Sequence, residues 1–265
     1  MTVTGSSTAR FYYSMPSPCP YLEGRMERRI FVDLTGPQAV LSYDLLSEAG
    51  FRRSLGFAYR PACPGCNACV AVRIPVARFR LTRQWRRVFA RNADVSADLR
   101  PATATAEQYA LFSRYQTGRH RDGEMARMDF EDYRTMIEVG AAASHVVEFR
   151  DRHGNLMACC LIDRMASGFS AVYSFYEPET PKRSLGSLIV LWLIAAAQRE
   201  SLEHVYLGYW IGASDKMAYK VRFQPLEALT REGWRALDAD GVPRPGWATA
   251  ARPPAFPPTK PAPPP

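Results

Sequence analysis

The chain has 265 residues, 47% of them hydrophobic and 23% charged, which is enough to bury one large core or two smaller ones. Its first residues lack a secretion-signal pattern, and its longest apolar run, Leu188 to Ala197, is too short to cross a bilayer. With a formal net charge of +8, these features predict a cytoplasmic protein with reduced thiols and no membrane partner.

Turn residues and hydrophobic periodicity predict a mixed succession of elements. Helices are predicted over residues 36–50, 82–92, 105–118, 129–140, 184–200 and 215–221. Strands are predicted over residues 28–34, 70–76, 145–150, 156–163, 169–176 and 204–209. This order predicts an α+β fold with a Cys- and Arg-rich N-terminal lobe, residues 1–97, and a C-terminal mixed-sheet lobe, residues 98–242. Residues 243–265 are proline-rich and are predicted to form a disordered extension.

Positive charge is concentrated in the N-terminal lobe. From Ala49 to Ala93 there are ten arginines and no Asp, Glu or Lys, so this window carries +10. Such a field favours an anionic partner. The predicted helix over residues 82–92 would form a basic ridge that suits a phosphate backbone, with a solvated helix face as the alternative. The ridge consists of Arg83, Arg86, Arg87 and Arg91.

Three cysteines follow a C-x-x-C-x-x-C spacing, which can place thiolates around one metal ion. They are Cys63, Cys66 and Cys69, and the nearest candidate for a fourth ligand is Cys19. Zinc or an iron–sulfur cluster, redox sensing and plain packing all remain open for these four residues. Cys159 and Cys160 lie in the apolar string MACCLI and are predicted to be strand core.

Four separated strings carry a family resemblance: CPYLEGR, GFRRSLGFAYRPACPGCNACVAVRIPV, AVYSFYEPE and YLGYWIGASDKMAYKVRFQPLE. They resemble the aminoacyl-tRNA–protein transferases, and most closely the bacterial aspartate/glutamate leucyltransferases. The resemblance implies an acetyltransferase-like C-terminal half. It also implies transfer of leucine from Leu-tRNA to the N-terminal Asp or Glu of proteins, which marks them for N-end rule degradation. Arginine as the transferred residue is the alternative.

The implied reaction assigns candidate site residues. An acidic N terminus needs a charge-matched pocket, for which the candidates are Arg52, Arg53, Tyr59 and Arg60. The ester is already activated, so neither a covalent nucleophile nor a cofactor is required. Candidate hydrogen-bond donors near the ester are Tyr173, Tyr176 and Tyr219. Lys216 and Lys220 would hold phosphate or developing negative charge, and Asp215 is a candidate for receiving the amine proton.

Two other classes of protein compete with this interpretation. A CoA-dependent N-acyltransferase would need a small residue in the turn that opens the helix after Arg183, where the string RSLGSL has Leu188 instead. No CoA is therefore expected. The second competing class is a zinc or RNA-binding module built on the cysteines, and this interpretation assigns no function to the C-terminal lobe. The family's arginyltransferases begin with C-x-x-C, whereas Cys19 is followed by Pro-Tyr-Leu, which puts a shared metal site in doubt.

Overall fold

A computed structural model gives the fold of the chain and describes residues 10–34, 39–140 and 143–238. The predicted α+β class is confirmed. The helices are α1 (Ala39–Glu48), α2 (Arg83–Arg91), α3 (Ala106–Arg119), α4 (Phe130–Glu138) and α5 (Leu185–Arg199). The proline-rich segment 243–265 lies outside the described residues. No helix in the described ranges is both long and apolar enough to cross a membrane.

Strands account for most of the remaining regular structure. They are β1 (Phe11–Tyr13), β2 (Ser17–Pro18), β3 (Met26–Glu27), β4 (Arg29–Asp33), β5 (Arg52–Ser54), β6 (Phe57–Pro61), β7 (Val70–Pro75), β8 (Ser96–Pro101), β9 (Ser144–Arg150), β10 (Leu156–Arg164), β11 (Gly168–Tyr176), β12 (His204–Trp210), β13 (Leu226–Thr230) and β14 (Gly233–Leu237). The six predicted strands are confirmed. The strands that were missed are short or follow no clear alternation.

The large sheet takes strands from both predicted lobes. Its eight strands have the order β14-β13-β7-β12-β11-β10-β9-β8, while β1, β4, β6 and β5 form a second sheet. β7 comes from the N-terminal part of the sequence, yet it pairs with β12 and β13. The predicted boundary between residues 97 and 98 also passes through β8. Backbone pairing therefore joins the two lobes across that boundary.

Both faces of the large sheet are covered. Along β10, Ala158, Cys160 and Ile162 pack in the cluster that contains α5, whereas Cys159 and Leu161 pack against α3 and α4. This alternation is the period of two that a strand imposes on its side chains. Cys159 and Cys160 are both fully buried, which confirms their predicted place in the strand core.

The two central parallel strands of the sheet separate along their length. β11 and β12 pair only where Gly168–Ser170 face His204–Tyr206, and both strands continue beyond that point. The register of β12 against β7 shifts between Tyr206 and Gly208, and Gly208 has a φ of +77°. We call the opening between β11 and β12 beyond Ser170 and Tyr206 the fork.

Candidate active site

Arg52 lies in the fork. It begins β5, is only 9% exposed, and its Nη2 donates a hydrogen bond of 2.5 Å to the carbonyl of Ala171 on β11. On the other side it lies against Gly208 of β12, where an added Cβ would be 3.2 Å from Nε of Arg52. Glycine at position 208 therefore tolerates the positive φ of the backbone there and leaves the space that the guanidinium of Arg52 occupies. The Nη1 atom of Arg52 is buried and has no hydrogen-bond partner among the residues that the structure describes.

Lys220 is a second buried cation beside Arg52. It is 5% exposed, and its Nζ donates a hydrogen bond of 2.5 Å to the carbonyl of Tyr209 on β12. Burial, and then the positive charge of Arg52, lowers the pKa of Lys220 to about 7. No carboxylate in the described ranges forms an ion pair with Lys220 or Arg52.

The segment that carries Lys220 is a 3-10 turn, Ala218–Arg222, rather than the predicted helix over residues 215–221. Lys216 and Lys220 consequently do not share a helix face. Lys216 is exposed, whereas Lys220 and Phe223 of the turn are both buried. Asp215 is exposed before the turn, and the described contacts do not join its side chain to the fork.

Arg53 occupies a different environment from Arg52. Its Nε and Nη2 donate to the two carboxylate oxygens of Asp163 at 2.7 and 2.9 Å, and its Nη1 donates to the carbonyls of Leu55 and Val139. Its side chain is 0% exposed. The prediction that Arg53 contacts an acidic peptide is therefore corrected, because its guanidinium is already paired and links β5 to β10 and to the end of α4.

A cluster of tyrosines borders the fork. The rings of Tyr115 and Tyr176 are 4.9 Å apart, and Tyr219 interacts electrostatically with both Tyr176 and Arg52. Gln116 donates to the hydroxyl of Tyr173 at 2.7 Å. Burial raises the pKa of Tyr173 above its ordinary value. The structure thus brings the predicted residues Tyr173, Tyr176 and Tyr219 together around Tyr115, and we call these four residues the tyrosine cluster. Tyr219 joins this cluster to Arg52 and Lys220.

Helix α3 contributes residues that the sequence pattern did not single out. Arg119 donates to the hydroxyl of Tyr176 at 2.8 Å, so two tyrosines of β11 are held from α3, one by Arg119 and one by Gln116. His120 ends this helix with its ring 5.5 Å from that of Tyr115. Burial and then the charge of Lys216 lower the pKa of His120. Only the spacing of positions 115, 116 and 119 on one helical face could have identified these residues.

The four candidate metal ligands line one small cavity of about 40 Å³, whose wall consists of Cys19, Tyr21, Leu22, Arg25, Met26, Glu27, Arg29, Tyr59, Pro61, Cys63, Cys66, Cys69 and Tyr209. Burial, and then the nearby thiols of Cys19, Cys63 and Cys66, raises the pKa of Cys69 to about 11. Within the described ranges, however, no three His, Cys, Asp or Glu residues are arranged to hold a metal ion. The thiols are gathered as predicted, but their arrangement does not fit zinc or an iron–sulfur cluster.

Tyr209 connects this cysteine cavity with the fork. Its hydroxyl donates to the carbonyls of Gly50 and Tyr59, while its own carbonyl accepts from Lys220. Tyr59 therefore lies in the cavity wall, on the far side of Tyr209 from Lys220. Arg60 is exposed, with its guanidinium 5.2 Å from the ring centre of Phe51.

The predicted basic ridge is exposed on α2. Thr82 caps the helix, and the four arginines Arg83, Arg86, Arg87 and Arg91 are all exposed. Trp85, on the buried side of α2, stacks on Phe223 with ring centres 4.6 Å apart. Because Phe223 follows the turn that carries Lys220, the buried side of α2 packs next to the candidate site, and the basic ridge lies on the exposed side of the same helix.

Comparison with known proteins agrees with the sequence resemblance. Residues 17–87 match the family described as arginine-tRNA-protein transferase, N terminus, and residues 107–230 match its C terminus. The aspartate/glutamate leucyltransferase of Rhodospirillum rubrum is 51% identical over 234 residues, which cover 88% of this chain and 95% of that protein. The protein of the same name from Paramagnetospirillum magneticum is 52% identical over 233 residues, covering 88% and 96%. The chain belongs to the aspartate/glutamate leucyltransferase family.

Similarity to solved structures is much weaker for this leucyltransferase-family chain. The structure described as L-PGS from Bacillus licheniformis is 12% identical, with a TM-score of 0.42, and the match covers 59% of this chain and 52% of that chain. A TM-score of this size supports no conclusion about a shared fold. The acetyltransferase-like character of the C-terminal half therefore stays a prediction.

The start of α5 in this leucyltransferase-family chain differs from the expectation at one residue. Leu188 is 5% exposed and packs in the core, so its side chain does not obstruct the start of α5 as predicted. Tyr176 lies there instead, since a Cβ added to Gly186 would be 3.0 Å from Cε1 of Tyr176. The first turn of α5, where a phosphate group would bind to backbone amides, is thus covered by a tyrosine.

Proposed function

We propose that this chain transfers leucine from Leu-tRNA to the α-amino group of proteins that begin with Asp or Glu. The observation that carries the proposal is Arg52, a buried guanidinium whose Nη1 has no partner and which no described carboxylate neutralises. A buried charge without a counter-charge is costly. The carboxylate of an acidic N-terminal residue would supply that counter-charge, and its planar geometry suits a guanidinium.

The position of Arg52 supports this assignment as well as its charge. In an N-terminal Asp or Glu, only a few bonds separate the side-chain carboxylate from the α-amino group. A carboxylate bound in the fork would therefore hold the amine beside the tyrosine cluster. Aminolysis of an ester needs the amine and the carbonyl carbon in contact, so holding both in one place accounts for much of the catalysis.

The tyrosines are the proposed donors to the ester oxygen. Tyr173 and Tyr176 each accept a hydrogen bond from α3, which leaves the hydroxyl hydrogen of each free to be donated elsewhere. Hydroxyl groups fixed in this way can stabilise the negative charge that develops on the carbonyl oxygen. Tyr219 lies beside Lys220, with the Nζ of Lys220 5.8 Å from its ring centre, and completes this wall of the site.

The basic ridge on α2 is the proposed contact for the tRNA backbone. Its four exposed arginines give a strip of positive charge that phosphates can follow without base-specific contacts. The stack of Trp85 on Phe223 places this strip next to the turn that carries Lys220. Arg60 and Lys216, which are both exposed, are proposed as further contacts at the rim of the site.

We propose that the reaction uses no cofactor, because the aminoacyl ester is activated before it reaches the protein. Metal analysis of the purified protein by mass spectrometry tests whether the cysteine cavity nevertheless carries zinc or iron. We also propose that the two predicted lobes divide the work, with the N-terminal lobe recognising the acceptor. The product, which begins with leucine, would enter N-end rule degradation in the cytoplasm.

One assay tests the proposed function. Radiolabelled leucine or arginine on tRNA is offered to peptides that differ only in the first residue, which is Asp, Glu, Asn, Gln or Ala. We expect label from Leu-tRNA on the Asp and Glu peptides alone. Equal label on the Ala peptide, or label from Arg-tRNA only, would contradict the proposal.

A further inference from the structure

Aminolysis releases a proton from the attacking nitrogen, and the site therefore needs a group that can take it. The tyrosines are poor acceptors, because burial raises the pKa of Tyr115 and Tyr173 and keeps their hydroxyls protonated. Asp215 is exposed outside the fork. His120 is half-buried at the end of α3, and its lowered pKa makes it a weaker base than an ordinary histidine.

Lys220 has the geometry that a proton acceptor requires. Its Nζ is buried inside the fork and is oriented by one hydrogen bond to the carbonyl of Tyr209. A neutral lysine amine can donate one hydrogen to that carbonyl and still present its lone pair. Arg52 approaches from β5, so a carboxylate bound to Arg52 would hold its own α-amino group close to Lys220.

We infer that Lys220, oriented by the carbonyl of Tyr209 beside Arg52 in the fork, is the base that accepts the proton of the acceptor's α-amino group. This inference rests on the proposed function. As the nitrogen attacks, the N–C bond forms and the N–H proton moves to Nζ. The C–O ester bond then breaks, and Lys220 returns the proton to the departing ribose oxygen. The products are the amide and the free tRNA, and Lys220 is regenerated as the neutral amine.

The surroundings of Lys220 lower its pKa, so that much of it carries the neutral amine at neutral pH before the substrate binds. The charged group that faces it is Arg52 from β5, and the titratable groups nearest to it are Tyr219 on its own turn and Tyr209 on β12. Around Tyr219 lie Cys160 of β10 and Tyr176 of β11. None of these groups is an acid that would hold a proton on the lysine at neutral pH. A pKa of about 7 for Lys220 is close to the value that suits a base at the working pH.

Two substitutions at position 220 test the inference in the full chain. Lys220→Met removes the amine while keeping much of its length, and Lys220→Arg keeps a positive charge that cannot become neutral. Both should lower kcat for leucine transfer by about 100-fold or more, with little change in KM for the peptide. Lys182→Met is the matched control, because Lys182 is exposed and outside the site.

The pH dependence separates a base from a merely structural residue. In the wild type, kcat/KM for the peptide should rise with pH through a midpoint near 7, and this rise should be absent from both variants at position 220. A second rise in activity, with a midpoint at about pH 8 where the α-amino group of the peptide loses its proton, should remain in both variants. Activity of Lys220→Arg within about threefold of the wild type would overturn the inference. So would a rise near 7 that persists in Lys220→Met and disappears in His120→Asn.

A direct titration gives a second measurement. The chain has only four lysines, so their side-chain signals can be followed by NMR after labelling with ¹³C at Cε. One signal should titrate near 7 and be missing from Lys220→Met; titration of all four near their ordinary value would overturn the inference. If the wild type labels no peptide, the proposed function has failed. If the wild type labels the Asp peptide and Lys220→Arg labels it at a rate within about threefold of the wild type, only the role of Lys220 has failed.

Discussion

Arg52 and Arg53 are adjacent on β5, are both buried, and face opposite sides of the strand. Arg53 donates two hydrogen bonds to Asp163 on β10, whereas Arg52 donates to a backbone carbonyl and its Nη1 has no partner in the described part of the chain. Asp163 thus neutralises the charge of Arg53, whereas no carboxylate in the described ranges neutralises the charge of Arg52. The charge of Arg52 is available to the carboxylate of a bound substrate. The two arginines share residue type and burial, and the presence of a carboxylate partner is what distinguishes the structural Arg53 from Arg52, the proposed substrate contact.

The largest expected effect on stability is at the paired arginine. Arg53→Met should lower the free energy of unfolding by about 3–5 kcal/mol, because it leaves Asp163 buried with an uncompensated charge. Urea denaturation followed by circular dichroism measures this loss. The double variant Arg53→Met with Asp163→Leu serves as the control and should recover much of it. A loss below about 1 kcal/mol in the single variant would show that the pair is not a structural link between β5 and β10.

Arg52→Met should reverse the pattern seen at Arg53. Since no described carboxylate is left unpaired by the change, unfolding in the same urea titration should be no easier than in the wild type. The value of kcat/KM for an Asp-initiated peptide should fall by about 100-fold, the size of effect seen when a buried charge pair loses one partner. A variant that unfolds as easily as Arg53→Met would place Arg52 among the structural residues.

Neutralising the exposed ridge should have a moderate and selective effect. Replacing Arg83, Arg86, Arg87 and Arg91 with Gln should raise KM for Leu-tRNA. A plot of the logarithm of tRNA affinity against the logarithm of salt concentration should also become less steep, by roughly one unit of slope for each phosphate that is no longer neutralised. KM for the peptide should not change, because the ridge lies outside the fork. An equal rise in both KM values would contradict separate sites for the two substrates.

The dependence of stability on pH gives a further test of the buried cations. The pKa of Lys220 falls from its ordinary value of 10.5 to about 7 on folding, so the unfolded chain binds more protons between those two values. Stability should therefore rise with pH across that window, and the rise should be smaller in Lys220→Met. Urea denaturation at pH 6, 7.5 and 9 measures the difference between the two proteins; parallel curves would show that the pKa of Lys220 is not depressed.

Local patterns were sufficient to predict most of the C-terminal architecture. The alternation of β9, β10 and β11 and the ranges of α2, α3 and α4 follow from signals within single segments, and each element is found within about two residues of where it was expected. The place of β7 between β12 and β13 was not predictable in this way, because strand partners distant in sequence leave no local pattern.

The same limit applies to the candidate site. The sequence shows ten arginines without a nearby acid, but the acids that neutralise Arg53 and Arg73 come from Asp163, Glu48 and Glu227 in distant segments. Lys220 and Tyr176 were identified through the family resemblance, whereas Gln116 and Arg119 of α3 were not, because nothing in their own segment distinguishes them from surface residues. Long-range pairing decides which polar residues are available for function.

The most direct test of the central claim is a competition experiment. Equal amounts of two peptides that differ only in Asp or Asn at the first position are offered together with Leu-tRNA to the wild type and to Arg52→Met, and the leucylated products are quantified by mass spectrometry. If Arg52 binds the acidic side chain, the wild type should leucylate the Asp peptide almost exclusively, and Arg52→Met should give nearly equal amounts of the two products. An unchanged preference for Asp in Arg52→Met would show that the acidic residue is recognised elsewhere.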